Sequence, residues 1–193
     1  DQKDPQVCQG SRFSLELTGI LQFDPPHLSQ GAPMDAQRFP DVTGRSLLGV
    51  EHRLPAEFPA DVSVAIIAFQ QWHQRQVDEW IGRLAAAGIP DTPYEAGPLA
   101  QVILEIPVLS GRFKIARRFI DGGMAASIRD PRVLARTITI YGSVDAVCDP
   151  LGITSRENVS VRMVRRDGTV LWGCTAAVTD ELLSQAIAAL PAP

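Results

Sequence analysis

The sequence predicts an α/β protein of three layers, a central mixed sheet flanked by helices, with a strand and hairpin extension on its N-terminal side. Three observations carry this. Val62-Ser63-Val64-Ala65-Ile66-Ile67-Ala68-Phe69 is β-branched and nearly all apolar, as a strand covered on both faces must be. Directly after it, Val77, Trp80, Ile81, Leu84 and Ala85 recur at the spacing of one helix face and run out at Gly88 and Pro90. Further on, Val159–Val164 and Thr169–Trp172 flank Arg165-Arg166-Asp167-Gly168, where Asp-Gly is expected to supply the positive φ angles of a tight hairpin.

In chain order, the first forty residues are rich in Pro, Gln, Gly and Asp, with one alternating piece, Phe13 to Leu17. Residues 1–40 read as an N-terminal arm and 41–193 as the domain. Two short extended pieces between Asp41 and Pro55, separated by glycines, predict a small hairpin flanking the main sheet. The Val62–Phe69 strand and its helix then form the first half of a βαβ unit. A second strand is expected over Leu99–Ile106, closed by Pro107, and a second helix over Arg112–Ile120, closed by Gly122-Gly123. A loop around Arg129-Asp130-Pro131 leads to a third core strand, Thr137–Tyr141. A short helix follows from Ser143 to Leu151, then the hairpin, placed at the sheet edge. Thr179 is the expected N-cap of a closing helix, with Asp180 and Glu181 favouring its dipole and Leu182, Leu183, Ala186, Ile187 and Leu190 on its inner face.

Composition narrows the function. With 193 residues, 45% of them hydrophobic, the chain has the material for one ordinary core and too little for two. A net charge of −4 with Lys and Arg scattered among acids leaves no basic stripe for nucleic acid. No apolar run approaches the roughly 20 residues of a membrane-spanning helix. The opening, Asp1-Gln2-Lys3-Asp4-Pro5, reads as a mature end left by cleavage or as an arbitrary boundary, so both a cytoplasmic and an exported location stay open. Cys8, Cys148 and Cys174 are too few and too widely spaced for a disulfide framework or a zinc site. His27 and His52 have no ligand-spaced neighbours, and no cofactor is expected. Cys148 and Cys174 read as small buried hydrophobes. Whether they meet is open, since a bridge needs Cα atoms within about 7 Å.

Phe69-Gln70-Gln71-Trp72-His73-Gln74-Arg75-Gln76 follows the first core strand. With the order of elements, the segment Tyr141–Ile153 and the hairpin Val161–Trp172, it resembles the thioredoxin-like superfamily, most closely its peroxiredoxin and TlpA-like branch, over about residues 41–190. A fainter resemblance, through Leu151-Gly152-Ile153 and Leu171-Trp172-Gly173-Cys174, is to the thioredoxin-like assembly factors of mitochondrial ATP synthase. Redox-active members of the superfamily carry Trp-Cys-x-x-Cys at the helix start and a cis-proline ahead of the hairpin. Here His73 and Gln76 stand at the cysteine positions, and Asn158 and Val159 at the proline position. Gln70–Val77 also lacks the Pro-x-x-x-Thr-x-x-Cys loop of a peroxiredoxin. Dithiol exchange needs a thiolate and a resolving thiol, and these residues supply neither.

The resemblance places a groove at the start of the first core helix, where free N–H groups and the dipole favour an anion. Trp72, His73, Gln74, Arg75 and Gln76, with Asn158, are the candidate site. Arg75 suits a carboxylate or phosphate, and His73 has the type of a general base, although no second titrating partner is near it in sequence. The competing reading makes these residues a solvated helix start under a Trp72 lid. Arg117, Arg118, Asp121 and Gly122-Gly123-Met124 form a second cluster. Its glycines follow a helix instead of opening one, which favours a C-cap over a phosphate cradle.

The function expected is a non-redox binding, assembly or chaperone-type role, with a polypeptide partner or a small anionic ligand. The alternative is a thiol-dependent redox enzyme or peroxidase working through Cys148 or Cys174, which needs a depressed thiol pKa. A hydrolase or transferase built on His73 and Arg75 is a third class.

Overall fold

The computed structural model describes residues 37–93, 99–110 and 130–191. The Phe13–Leu17 strand, the Arg112–Ile120 helix, the cluster from Arg117 to Met124, His27 and Cys8 lie outside the described residues. In chain order the elements are β1 (Val42–Ser46), β2 (Glu51–Leu54), β3 (Ala60–Ala68), a 3-10 turn (Gln71–His73) running into α1 (Gln74–Ala86), and β4 (Leu99–Ser110). Then come α2 (Pro131–Arg136), β5 (Ile138–Gly142), α3 (Asp145–Cys148), β6 (Ser160–Arg165), β7 (Val170–Thr175) and α4 (Asp180–Ala189). The seven strands form one mixed sheet in the order β2-β1-β5-β4-β3-β6-β7. β3, β4 and β5 are parallel neighbours, and the other pairings are antiparallel.

β3 is the centre of this arrangement. It pairs with β4 from Ala60↔Leu99 to Ala68↔Pro107 and with β6 from Val62↔Arg165 to Ile67↔Ser160. Its side chains alternate between two cores. Ala65 and Ile67 join Phe39, Phe58, Leu104, Ile106, Ile140 and Leu151 on one face. Val62, Val64 and Ile66 join Val77, Trp80, Leu84, Ile103 and Met163 on the other. Each such aliphatic side chain, fully buried, contributes about 1.5–3 kcal/mol. The face that α1 presents to the sheet is therefore the Val77–Trp80–Ile81–Leu84 stripe read from the sequence. Trp80 also donates its indole N–H to the Ala176 carbonyl at 3.0 Å.

Several boundaries differ from expectation for local reasons. β4 runs through Pro107 to Ser110. Pro107 sits where pairing with β3 ends and the Val108↔Ile140 pairing with β5 begins, so its missing N–H falls at a handover between partners. The segment read as a loop at Asp130-Pro131 opens helix α2. Asp130 accepts from Arg132 N–H at 2.9 Å and Pro131 occupies the first turn, both standard helix-start chemistry. α3 is shorter than the expected Ser143–Leu151 helix. The hairpin strands are longer than expected at their C-terminal ends, and β6 lies inside the sheet between β3 and β7, leaving only β7 at that edge. Its turn has one positive φ, at Gly168 (+88°), and none at Asp167. Arg165 O accepts from Gly168 N–H at 2.9 Å, and Thr169 O accepts from Arg165 N–H at 3.0 Å. This fits a type I turn followed by a left-handed glycine. Thr179 caps α4 as expected, accepting from Leu182 N–H at 3.2 Å.

Arg162 on β6 is 4% exposed and lies across the sheet against its neighbour Gly173. It donates to the carbonyls of Val161 (2.9 Å), Cys174 (2.7 Å) and Leu151 (3.1 Å). Burial brings its pKa down to about 10, which leaves it charged at neutral pH. A Cβ on Gly173 would come within 2.4 Å of Arg162 Cδ. Gly173→Ala should therefore displace the guanidinium and lower stability by about 1–3 kcal/mol, read as an earlier urea midpoint at unchanged m-value. An unchanged midpoint would show that Arg162 does not depend on that gap.

Candidate functional site

The site is built where β3 hands over to α1. Gln70 has extended backbone, and its carbonyl accepts from His73 N–H at 3.1 Å, closing the 3-10 turn. This turn rotates His73 inward and Trp72 outward. Trp72 is 61% exposed, whereas His73 has no exposed surface. The two rings meet edge to face at 4.3 Å, and Phe69 packs against His73 from the other side at 6.4 Å.

His73 Nδ1 accepts from the Phe69 backbone N–H at 3.3 Å. An accepting Nδ1 carries no proton, so the neutral ring holds its proton on Nε2. Nε2 is buried and makes no hydrogen bond. Burial pushes the His73 pKa down, while the main chain of Glu157 and Arg156 pulls it up. The structure thus places this histidine as a packed, neutral ring fastening the end of β3 to the helix start, away from solvent.

Gln76 is also turned inward. Its Nε2 donates to Asn158 Oδ1 at 2.9 Å and its Oε1 accepts from Val159 N–H at 3.0 Å. Gln76 and Asn158 are brought together, as the sequence reading grouped them, but their polar atoms are spent on each other and on the segment entering β6. The cis peptide bond among the described residues is Leu54–Pro55, away from Asn158-Val159. Gln74 donates to Asp78 Oδ1 at 3.0 Å along the exposed side of α1. Trp72, Gln74 and Arg75 are therefore the three candidates that face solvent.

Beneath this surface lies a buried carboxyl that the sequence reading passed over. Glu105, 5% exposed, stands on β4 beside Ile66, on the α1 side of the sheet. Its Oε2 is 3.3 Å from Thr137 Oγ1, which donates to the Val133 carbonyl at 2.8 Å. The one hydroxyl proton is shared between the two oxygens, which weakens its hold on the carboxylate. Burial pushes its pKa up, against the pull of Arg136 and Thr137. Arg136 is engaged by Asp91 Oδ2 at 3.0 Å. The available signal was a lone acid inside the apolar run Val102–Ile106. A cleft lined by Ala85, Gly88, Ile89, Pro90, Asp91 and Arg132 lies at the opposite end of α1.

The two described cysteines are kept apart and quiet. Cys148 belongs to the core on one face of the sheet. Cys174, paired with Val161, packs against the core on the other. Burial pushes the Cys148 thiol up despite Arg156 beside it. Burial also takes Cys174 to about 12 against the pull of Arg162.

No protein-family model matches the chain, and no curated protein matches it in sequence. Solved structures do match it. A protein from Aquifex aeolicus VF5 provisionally assigned to electron transfer aligns with a TM-score of 0.52 at 8% identity, covering 80% of this chain and 95% of the other. A thiol:disulfide interchange protein from a Bacteroides species aligns at 0.50 and 15% identity, covering 80% and 89%. The thioredoxin domain of a thiol-disulfide oxidoreductase from Bacteroides vulgatus aligns at 0.50 and 15%, covering 81% and 98%. At such identities the likeness speaks for the fold alone, and the fold is thioredoxin-like, as the order of elements implied.

The His73 environment has a pH consequence. Its pKa is lower folded than unfolded, where it is near 6.5. The folded state therefore binds fewer protons, and its contribution is complete above that value and lost as pH falls toward the folded pKa. Urea unfolding from pH 7.5 to 5.5 should show stability falling with acidification, by less than about 1.4 kcal/mol per pH unit for one proton. His73→Asn should flatten that slope. A slope unchanged by the substitution would assign it to other groups.

Proposed function

We propose that this thioredoxin-like domain works by binding, in an assembly or chaperone-type role, and that its contact surface is the outward half of the α1 start. The observation that carries the reading is Trp72, a large aromatic side chain 61% exposed and held edge-on by the buried His73 ring. Arg75 stands exposed beside it. A fixed indole next to a guanidinium offers a flat apolar surface with a bidentate donor. That combination suits a polypeptide segment carrying a carboxylate or another anionic group.

The chemistry around it supports binding over thiol exchange. The positions of a nucleophilic and a resolving cysteine hold a sealed histidine and a glutamine whose amide is hydrogen-bonded to Asn158 and Val159. A thiol with a raised pKa offers little thiolate at neutral pH, and Cys148 and Cys174 lie on opposite faces of the sheet. A hydrolase or transferase using His73 has no support either, since the ring cannot reach a substrate without the helix start opening.

The test is an array of short peptides of varied charge probed with the native protein, Trp72→Ala and Arg75→Glu. Acid-containing peptides should bind, and each substitution should weaken that binding about tenfold while the urea midpoint stays within about 0.5 kcal/mol of native. Binding that ignores Trp72 would sink the reading. Independently, alkylation of the folded protein followed by mass spectrometry should find Cys148 and Cys174 slow at pH 7, with rates rising only as pH approaches their elevated pKa values. Rapid modification of either below pH 8 would favour thiol chemistry instead.

A further inference from the structure

His73 is both the last residue of the 3-10 turn and the N-cap residue of α1. That position is hostile to a cation for two reasons. The free N–H groups of a helix start and its dipole already present positive charge, and the first turn of α1 holds Arg75 and no acid. The ring is also completely buried, so a charge placed on it loses its hydration.

The elements packed around the ring do not compensate. The end of β3 and the turn, from Val62 to Trp72, carry no charged residue. On α1, Arg75, Asp78 and Glu79 face solvent, and Asp78 accepts from Gln74. Arg156 and Glu157, in the segment entering β6, are exposed, and Arg156 is paired with Asp145. It is the main chain of these two residues that reaches the ring. β4 contributes Glu105, buried beneath α1, which interacts with Gln74 and Asp78.

The packing uses the neutral ring. Nδ1 accepts from the Phe69 N–H at 3.3 Å, and an imidazolium has no lone pair left to accept with. Protonation of Nδ1 would set two donors against each other at the end of β3, directly beneath the Trp72 ring that rests edge to face on His73 at 4.3 Å. We propose that His73 is an acid-operated latch: closed at neutral pH, it holds Trp72 in place, and on protonation the 3-10 turn loosens and the Trp72 surface is lost. The latch regulates the binding surface proposed above, and its use to the protein rests on that reading. Because the ring takes a proton less readily packed than free, the latch stays shut at pH 7 and opens only below about pH 6.5, the value of an unconstrained imidazole.

Nuclear magnetic resonance of the full chain between pH 7.5 and 4.5 tests the latch without any ligand. The Phe69 amide and the Trp72 indole N–H, the latter identified by its loss in Trp72→Phe, should shift together with one midpoint below 6.5. The amides of Val161 to Val164 should stay fixed. The joint shift should vanish in His73→Asn and survive in Glu105→Gln. Signals that do not titrate, a shift shared by the whole sheet, or a shift lost in Glu105→Gln would each overturn the proposal. The acid-containing peptides that bind at pH 7.5 then supply a second readout. Their affinity should fall about tenfold per pH unit below that midpoint, as the competent fraction falls, and the fall should be absent in His73→Asn. A joint shift in a protein that binds no peptide at pH 7.5 would support the latch while sinking the binding reading. Peptide binding with unmoved Phe69 and Trp72 signals would do the reverse.

Discussion

The candidate site depends on β3 being hydrogen-bonded along both edges and buried on both faces. Its nine residues take a parallel partner on one side and an antiparallel partner on the other. Neither edge nor face is free to adjust, so the strand has one register and one end point. The turn that follows must begin at Phe69, and its three residues decide which side chains enter the core and which face outward. A slip of one residue in β3 would exchange its two cores and invert that choice.

The consequence is a helix start sealed from within. His73 fills the space between Phe69 and Trp72 and satisfies the last N–H of the strand region, while Gln76 fastens α1 to the segment entering β6. The geometry that would present a reactive group in a redox-active fold of this kind here presents hydrogen bonds already made. Trp72 is left outside, 61% exposed, with its ring edge to face on that of His73.

Buried charge is handled differently at two places in the sheet. Arg162 remains ionised because three carbonyls point at it and because Gly173 leaves room for its side chain to cross the neighbouring strand. At Glu105, Arg136 is shared with Asp91 and the Thr137 hydroxyl with the Val133 carbonyl. Burial outweighs their pull and pushes the carboxyl pKa up. Both follow the rule that an ion stays charged inside a protein only where the lost hydration is replaced.

Much of the fold was legible in the sequence because period and punctuation are local properties. The apolar run at Val62–Phe69, the helical stripe from Val77 to Leu84, the Asp-Gly turn and the Thr179 cap each declare themselves within a few residues, and they are enough to specify a thioredoxin-like layering. The helix at Pro131 was equally legible, since Asp130-Pro131 is start chemistry, but a proline beside an acid also reads as a turn. The site was legible as a location only. That Trp72, Gln74 and Arg75 face solvent while His73 and Gln76 do not is decided by the exit angle of β3 and by the Asn158–Val159 segment, more than eighty residues away. The opposite faces of Cys148 and Cys174, the crossing of Arg162 over Gly173 and the burial of Glu105 have the same origin. Each depends on which strands are neighbours, and burial and hydrogen bonding between neighbours are properties of the assembled sheet that no stretch of sequence carries alone.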